Sequence, residues 1–175
     1  MKRSILFCAL SLLASVAFAA EGPANFPVGA LTFQRPAAWE WVQVNSPMRK
    51  AQLKVPGKDA ASSAEITFFH FGPGQGGDVQ SNAQRWISQF KGGADAQKID
   101  WTEIDGRKTA MVSTEGTFNS GMPGGATTPM EGYALLGAII EDPAGNVFVK
   151  MTGPAALIKE QREAFMTFLK GARKQ

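Results

Sequence analysis

One histidine, His70, bounds the proton chemistry open to this 175-residue chain. A serine-type hydrolase needs a base beside its nucleophile, so a Ser-His-Asp system here would have to be built on His70, and no G-x-S-x-G elbow is present. Zinc hydrolysis is not signalled either, since there is no H-E-x-x-H and no second histidine. Met122 and Met130 could join His70 as soft ligands for copper in an exported protein. Their other reading is ordinary loop packing. No cofactor is expected. The two enzymatic or metal readings are a hydrolase-type enzyme using His70 and a copper-handling protein using His70 with the loop methionines.

Gly72, Gly74 and Gly77 satisfy G-x-G-x-x-G between a strand and a helix, which is the dinucleotide fingerprint when it lies in a parallel βαβ unit. The segment after the helix looks antiparallel instead, and no lysine succeeds the glycines as a phosphate loop would require. A tight turn packing helix onto strand is the expected role. The polar and aromatic residues around this elbow are the binding candidates: His70, Gln75, Asp78, Asn82, Arg85 and Trp86, with Lys150 from farther along the chain. Each also has a structural reading. His70 can be a packed ring bonded to a neighbour, Asn82 can bond back to the glycine elbow, and Arg85 can be a solvated charge. A half-buried Lys150 should have a carboxylate partner, with Asp78 as one choice. Trp39 and Trp41 share a strand face and are expected in or near the core, although an exposed pair would suit a sugar or a protein partner.

The elements that must position these groups can be traced by periodicity. Ala64 to Phe71 alternates with bulky residues on both faces, Ile66, Phe68 and His70 against Thr67, Phe69 and Phe71, as a central strand covered on both sides would. Asp78 is a good N-cap, and Val79, Ala83, Trp86, Ile87 and Phe90 recur at helical spacing, predicting a helix that runs to Phe90 with Gly92-Gly93 as its stop. Asp105-Gly106 marks a two-residue hairpin, and Asp142-Pro-Ala-Gly-Asn146 marks a second between Tyr133–Glu141 and Val147–Thr152. Leu31–Phe33, Trp39–Val44 and Lys50–Val55 read as further strands, and 119–130 as a lid or plain loop. Pro154 is expected at the first position of a closing helix that buries Leu157, Ile158, Ala164, Phe165, Phe168 and Leu169 and stops at Gly171.

Met1 to Ala20 carries Lys2 and Arg3, an apolar core and a small-residue end, which predicts a signal peptide cut near Ala19 or Ala20. Cys8 lies inside it after Leu6-Phe7, a poor lipoprotein context, so a soluble exported protein is expected, periplasmic or secreted, with a lipid anchor as the alternative. The mature chain would then hold no cysteine, which excludes disulfides and thiolate chemistry. It would also lose two of the 18 Lys and Arg, leaving a formal +1 that calls for neither nucleic acid nor an anionic membrane. No transmembrane segment is expected in that chain. Residues 21–28 are expected as a flexible start and 29–175 as one α+β domain, an antiparallel sheet flanked by two main helices.

The opening Phe33-Gln-Arg-Pro-Ala-Ala-Trp39, the helix after the central strand, the meander and the C-terminal helix resemble the Mog1/PsbP-like α/β/α sandwich. More narrowly, Gly74-Gln-Gly-Gly77 with Asn82, Arg85-Trp86, Gln89-Phe90 and Lys150-Met-Thr-Gly-Pro154 is similar to a group of small exported bacterial proteins of uncharacterised function. The resemblance implies architecture and a non-enzymatic binding or accessory module, with docking on an envelope protein assembly as one form of that role. It carries no shared catalytic residues. The expected partner is an unknown protein or small molecule, met in a groove beside His70, Gln75 and Trp86.

Overall fold

The computed structural model describes residues 22–59, 62–120 and 128–175. The expected leader, its cleavage point and Met122 lie outside these residues. In chain order the elements are β1 (Asn25–Val28), β2 (Leu31–Gln34), β3 (Glu40–Trp41), β4 (Arg49–Val55), β5 (Ala64–His70), α1 (Val79–Ile87), β6 (Phe90–Lys91), β7 (Lys98–Ile104), β8 (Arg107–Ser120), β9 (Thr128–Ile140), β10 (Val147–Pro154), α2 (Ala155–Glu160), α3 (Arg162–Lys170) and β11 (Arg173–Lys174).

The strands form an antiparallel eight-stranded sheet of order β3-β4-β5-β10-β9-β8-β6, with β7 also on β8, and a small sheet of order β1-β2-β11. β5 is interior, as its two apolar faces require. One face carries Leu53, Ile66, Phe68, Val149 and Met151, which pack under the small sheet, α2 and α3. Phe26, Phe33 and Phe168 meet Phe68 there, with ring centroids 5.1, 5.4 and 6.0 Å from it. The opposite face carries Ala110, Val112, Leu135, Ile139 and Phe148, which pack under α1. Both hairpins form where the turn residues put them: Asp105 and Gly106 both have positive φ, 49° and 74°, as a two-residue primed turn needs.

Several expectations are corrected. Residues 25–28 are not loose but form β1, with Phe26 and Val28 buried. α1 ends at Ile87, and Phe90 instead pairs with Phe118 as a strand, because the Asn119 amide donates to Gln89 O at 2.9 Å and draws the chain onto β8. β8 and β9 extend to Ser120 and Thr128, so both ends of the expected 119–130 loop are strand. Pro154 precedes α2 as its cap residue, and the C-terminal helix is divided at Gln161. Ala164 is exposed, while Ile158, Phe165, Phe168 and Leu169 form the buried stripe. Trp39 is buried and Trp41 packs on Phe26, as expected of that pair, whereas Trp101 stays 47% exposed under the Lys108 ammonium.

Candidate functional site

The glycine elbow is a structural joint. Asp78 caps α1 through a 2.8 Å bond accepted from the Ser81 amide, and that bond, ahead of other contacts, holds its carboxyl below the usual 3.8. Asn82, 3% exposed, donates from Nδ2 to Gly76 O at 2.7 Å and to Asp78 O at 2.8 Å, and its Oδ1 accepts from Arg85. Its reading as a bond back to the elbow is the observed one. Gly76 has φ 87°, and a Cβ there would lie 2.8 Å from the Phe71 ring, so the turn admits no side chain. Gln75 is exposed. Trp86 packs on β9 at Gly137, where a Cβ would meet the indole at 2.5 Å.

His70 sits away from these groups, on the face of β5 that also carries Ile66 and Phe68. It is half-buried, and a Cβ on Gly29 or Gly145 would touch the ring at 2.7 or 2.8 Å, so the imidazole fills the gap between two turns. Nδ1 bonds to the backbone carbonyl of Asn146 at 3.3 Å rather than to a carboxylate. The copper reading fails on register for Met130: His70 is opposite Val147 at one end of β10, whereas Tyr133, three residues after Met130, is opposite Pro154 at the other. At about 3.3 Å per residue that places the ends more than about 20 Å apart. Among the described residues no group of three His, Cys, Asp or Glu side chains could hold a metal.

A concave feature lies on the other face of the sheet. α1 is a nine-residue helix seated over the β8 side, and the half of its face formed by β4, β5 and the end of β10 opens into a groove of about 620 Å³. Strand alternation lines the floor in two cross-strand rows, Gln52, Thr67 and Lys150, then Lys54, Glu65 and Thr152. The walls are largely apolar and aromatic, with Phe69, Phe118, Met130 and Tyr133. The chain after α1 supplies Gln89, whose Oε1 accepts from Lys150 Nζ. This groove, at Lys150, lies on the other face of the sheet from His70.

Lys150 is half-buried, and its partner is Gln89 rather than the anticipated Asp78. The ammonium also lies 5.3 Å from the Phe118 ring centroid. Burial pushes its pKa from 10.5 to about 8; Glu65 opposes that shift and the charges of Arg85 and Arg49 add to it. The Glu65 carboxylate is taken by Arg49, at 3.3 Å, and by Gln52 Nε2, at 2.8 Å. The Thr152 hydroxyl, on the groove floor, is buried without a hydrogen-bond partner among the described residues. Of the candidate residues, the structure therefore puts Lys150 in the groove, brings Arg85 within electrostatic reach of it, and leaves Asp78, Asn82 and Trp86 to seat the helix that bounds it. Sequence reasoning singles out none of Gln52, Glu65, Gln89 and Thr152 as site residues, although Gln89 and Thr152 stand in the motifs quoted above; for Gln52, Glu65 and Thr152 the signal is a polar residue at a face-sharing strand position.

No protein-family model matches the chain, and no curated protein matches it in sequence. Among solved structures it is similar to cyanobacterial PsbP (CyanoP) from Synechocystis sp. PCC 6803, with a TM-score of 0.57 and 10% identity over 95% of this chain and 99% of that one. A Pseudomonas aeruginosa protein of unknown function gives a TM-score of 0.47 at 14% identity, covering 83% of this chain and 92% of that one. A Bacteroides thetaiotaomicron structure gives 0.48 at 12%, covering 83% and 45%. At such identities the first likeness speaks to fold alone, and together with the sheet order and the two-sided core it gives this chain a PsbP/Mog1-like fold.

Proposed function

We propose that this chain is an exported, non-enzymatic binding or accessory module of the cell envelope whose ligand-contacting surface is the Lys150 groove. The observation that carries this reading is the half-buried lysine on the groove floor, held by a neutral amide with no carboxylate in contact among the described residues. A structural lysine at such a depth is expected to be paired. The volume, about 620 Å³, is in the range of small-molecule sites, and the lining combines apolar walls with a few convergent polar groups. The PsbP/Mog1-like fold is in keeping with an accessory role by analogy.

The test is a thermal-shift screen of the purified protein against lipids, sugars, peptidoglycan fragments and aromatic acids, run beside Gln52→Trp, which fills the groove, and His70→Ala, which lies on the other face. A ligand that binds the folded state raises the melting temperature. The expected rise survives in His70→Ala and disappears in Gln52→Trp. A rise that persists in Gln52→Trp and is lost in His70→Ala would move the site to the elbow end and reject the groove.

A further inference from the structure

Resting on the groove assigned above, we infer that it is built for a small monocarboxylate with an aromatic or apolar body, its carboxylate ion-paired to Lys150 Nζ. An ammonium has three donors and no acceptor, and one donor is used by Gln89 Oε1. Glu65, which does attract this lysine, is occupied by Arg49 and Gln52 and does not contact it. The remaining donors thus face a groove whose other lining cations are paired, Arg49 with Glu65 and Lys54 with Glu40, at 3.3 Å each. An incoming carboxylate supplies the countercharge that the fold withholds.

The rest of the lining selects the body and the charge. Phe69, Phe118 and Tyr133 present rings, and Met130 presents aliphatic surface, which suits a flat apolar ligand. Gln89 follows the carboxyl end of α1, whose partial negative charge opposes a second formal charge on the ligand, and Glu65 opposes it too. A single negative charge is therefore preferred to a phosphate dianion. Because burial already disfavours the protonated lysine, binding an anion must draw a proton onto Lys150 whenever the solution is more alkaline than about pH 8.

The experiment is calorimetric titration of the purified protein with 2-naphthoate, its neutral isostere 2-naphthamide, and 2-naphthyl phosphate, in the wild type, Lys150→Met, Lys150→Arg and Gln52→Trp. Naphthoate is expected to bind the wild type at least about tenfold more tightly than the amide, and Lys150→Met to bring the two to near parity, with naphthoate losing far more affinity than the amide. Lys150→Arg should keep most of the preference. Above about pH 8 the naphthoate affinity should fall by up to about tenfold per pH unit, and the amide affinity should stay flat. Lys150→Met removes a buried charge and is expected to fold, which its melting curve checks. Equal binding of naphthoate and amide, weakened alike by Gln52→Trp, would overturn the carboxylate inference and leave the groove standing. Tighter binding of the phosphate would overturn the single-charge preference. Binding of none of the probes, or binding indifferent to Gln52→Trp, would reject this inference, and the second result would reject the groove with it.

Discussion

Lys150 costs the fold stability in a pH-dependent way, and the sign is fixed by its surroundings. Its folded pKa, about 8, lies below the ordinary 10.5, so between these values the unfolded chain binds more protons and stability rises with pH. A shift of this size is an upper limit of about 3 kcal/mol, which partial solvent access reduces to about 1–2 kcal/mol. Urea denaturation of wild type and Lys150→Met at pH 7.5 and 10.5 should show the wild type gaining on the variant; parallel responses would mean the ammonium is fully hydrated. Arg107 behaves oppositely. Its guanidinium bonds Asp142 at 2.5 Å and Asp105 at 2.8 Å, with side chains 12% and 7% exposed in the Arg107–Asp142 pair. Burial works to raise the Asp142 carboxyl, but the bonds from Arg107 and from the Ala144 amide outweigh it and hold it below 3.8. That contribution is present above the ordinary carboxylate range and is lost as pH falls through the lowered value. Arg107→Ala should cost about 3 kcal/mol at pH 7 by leaving Asp142 unpaired, and the variant should lose less than the wild type on acidification.

Among elements, α1 is the one on which the groove depends, and its seat is a missing side chain. Trp86 reaches β9 because Gly137 has no Cβ; Gly137→Val should lift the indole, cost about 1–3 kcal/mol and distort the groove by shifting Gln89. Asn82→Ala frees the Gly76 carbonyl at the other end of the helix and should cost about 1–2 kcal/mol. Naphthoate titration with each separates the two: only Gly137→Val is expected to weaken binding more than its stability loss explains. These contacts also show what the chain made legible. The Asp78 cap, the Asn82 back-bond, the buried faces of β5 and α1 and both hairpin turns follow from local periodicity and turn chemistry, so they could be read from residue types. β6 and β11 are short pieces whose pairing is decided by partners far along the chain, Phe118 for Phe90 and Thr32 for Arg173, and no local pattern marks them, whereas β1 pairs with its neighbour β2 across the turn at Gly29. The groove was illegible for a related reason. It exists because α1 stops at Ile87 and covers part of a sheet face, and its polar floor is assembled from single residues on β4, β5 and β10.

At the scale of the whole molecule, the two faces of the sheet are unequal. The small sheet, α2, α3 and one sheet face share a continuous core in which Phe26, Phe33, Phe68 and Phe168 interlock, whereas α1 stands alone on the other side over a smaller cluster. Opening α1 exposes Trp86, Ile87 and Phe148 but breaks no bond between β5, β10 and β9, so it can occur below the cost of global unfolding. Hydrogen exchange should therefore show amides of α1 exchanging before those of β5, β9 and β10, which should exchange together at the global limit. The groove bridges these units, since Gln89 belongs to the chain leaving α1 and Lys150 to β10. A ligand held across that bridge binds only when α1 is seated, so saturating naphthoate should slow exchange in α1 by the factor that its concentration and affinity dictate, and in Lys150→Met it should not. If α1 and the central strands exchange at one rate without ligand, the molecule opens as a unit and the ligand would be expected to protect every strand alike.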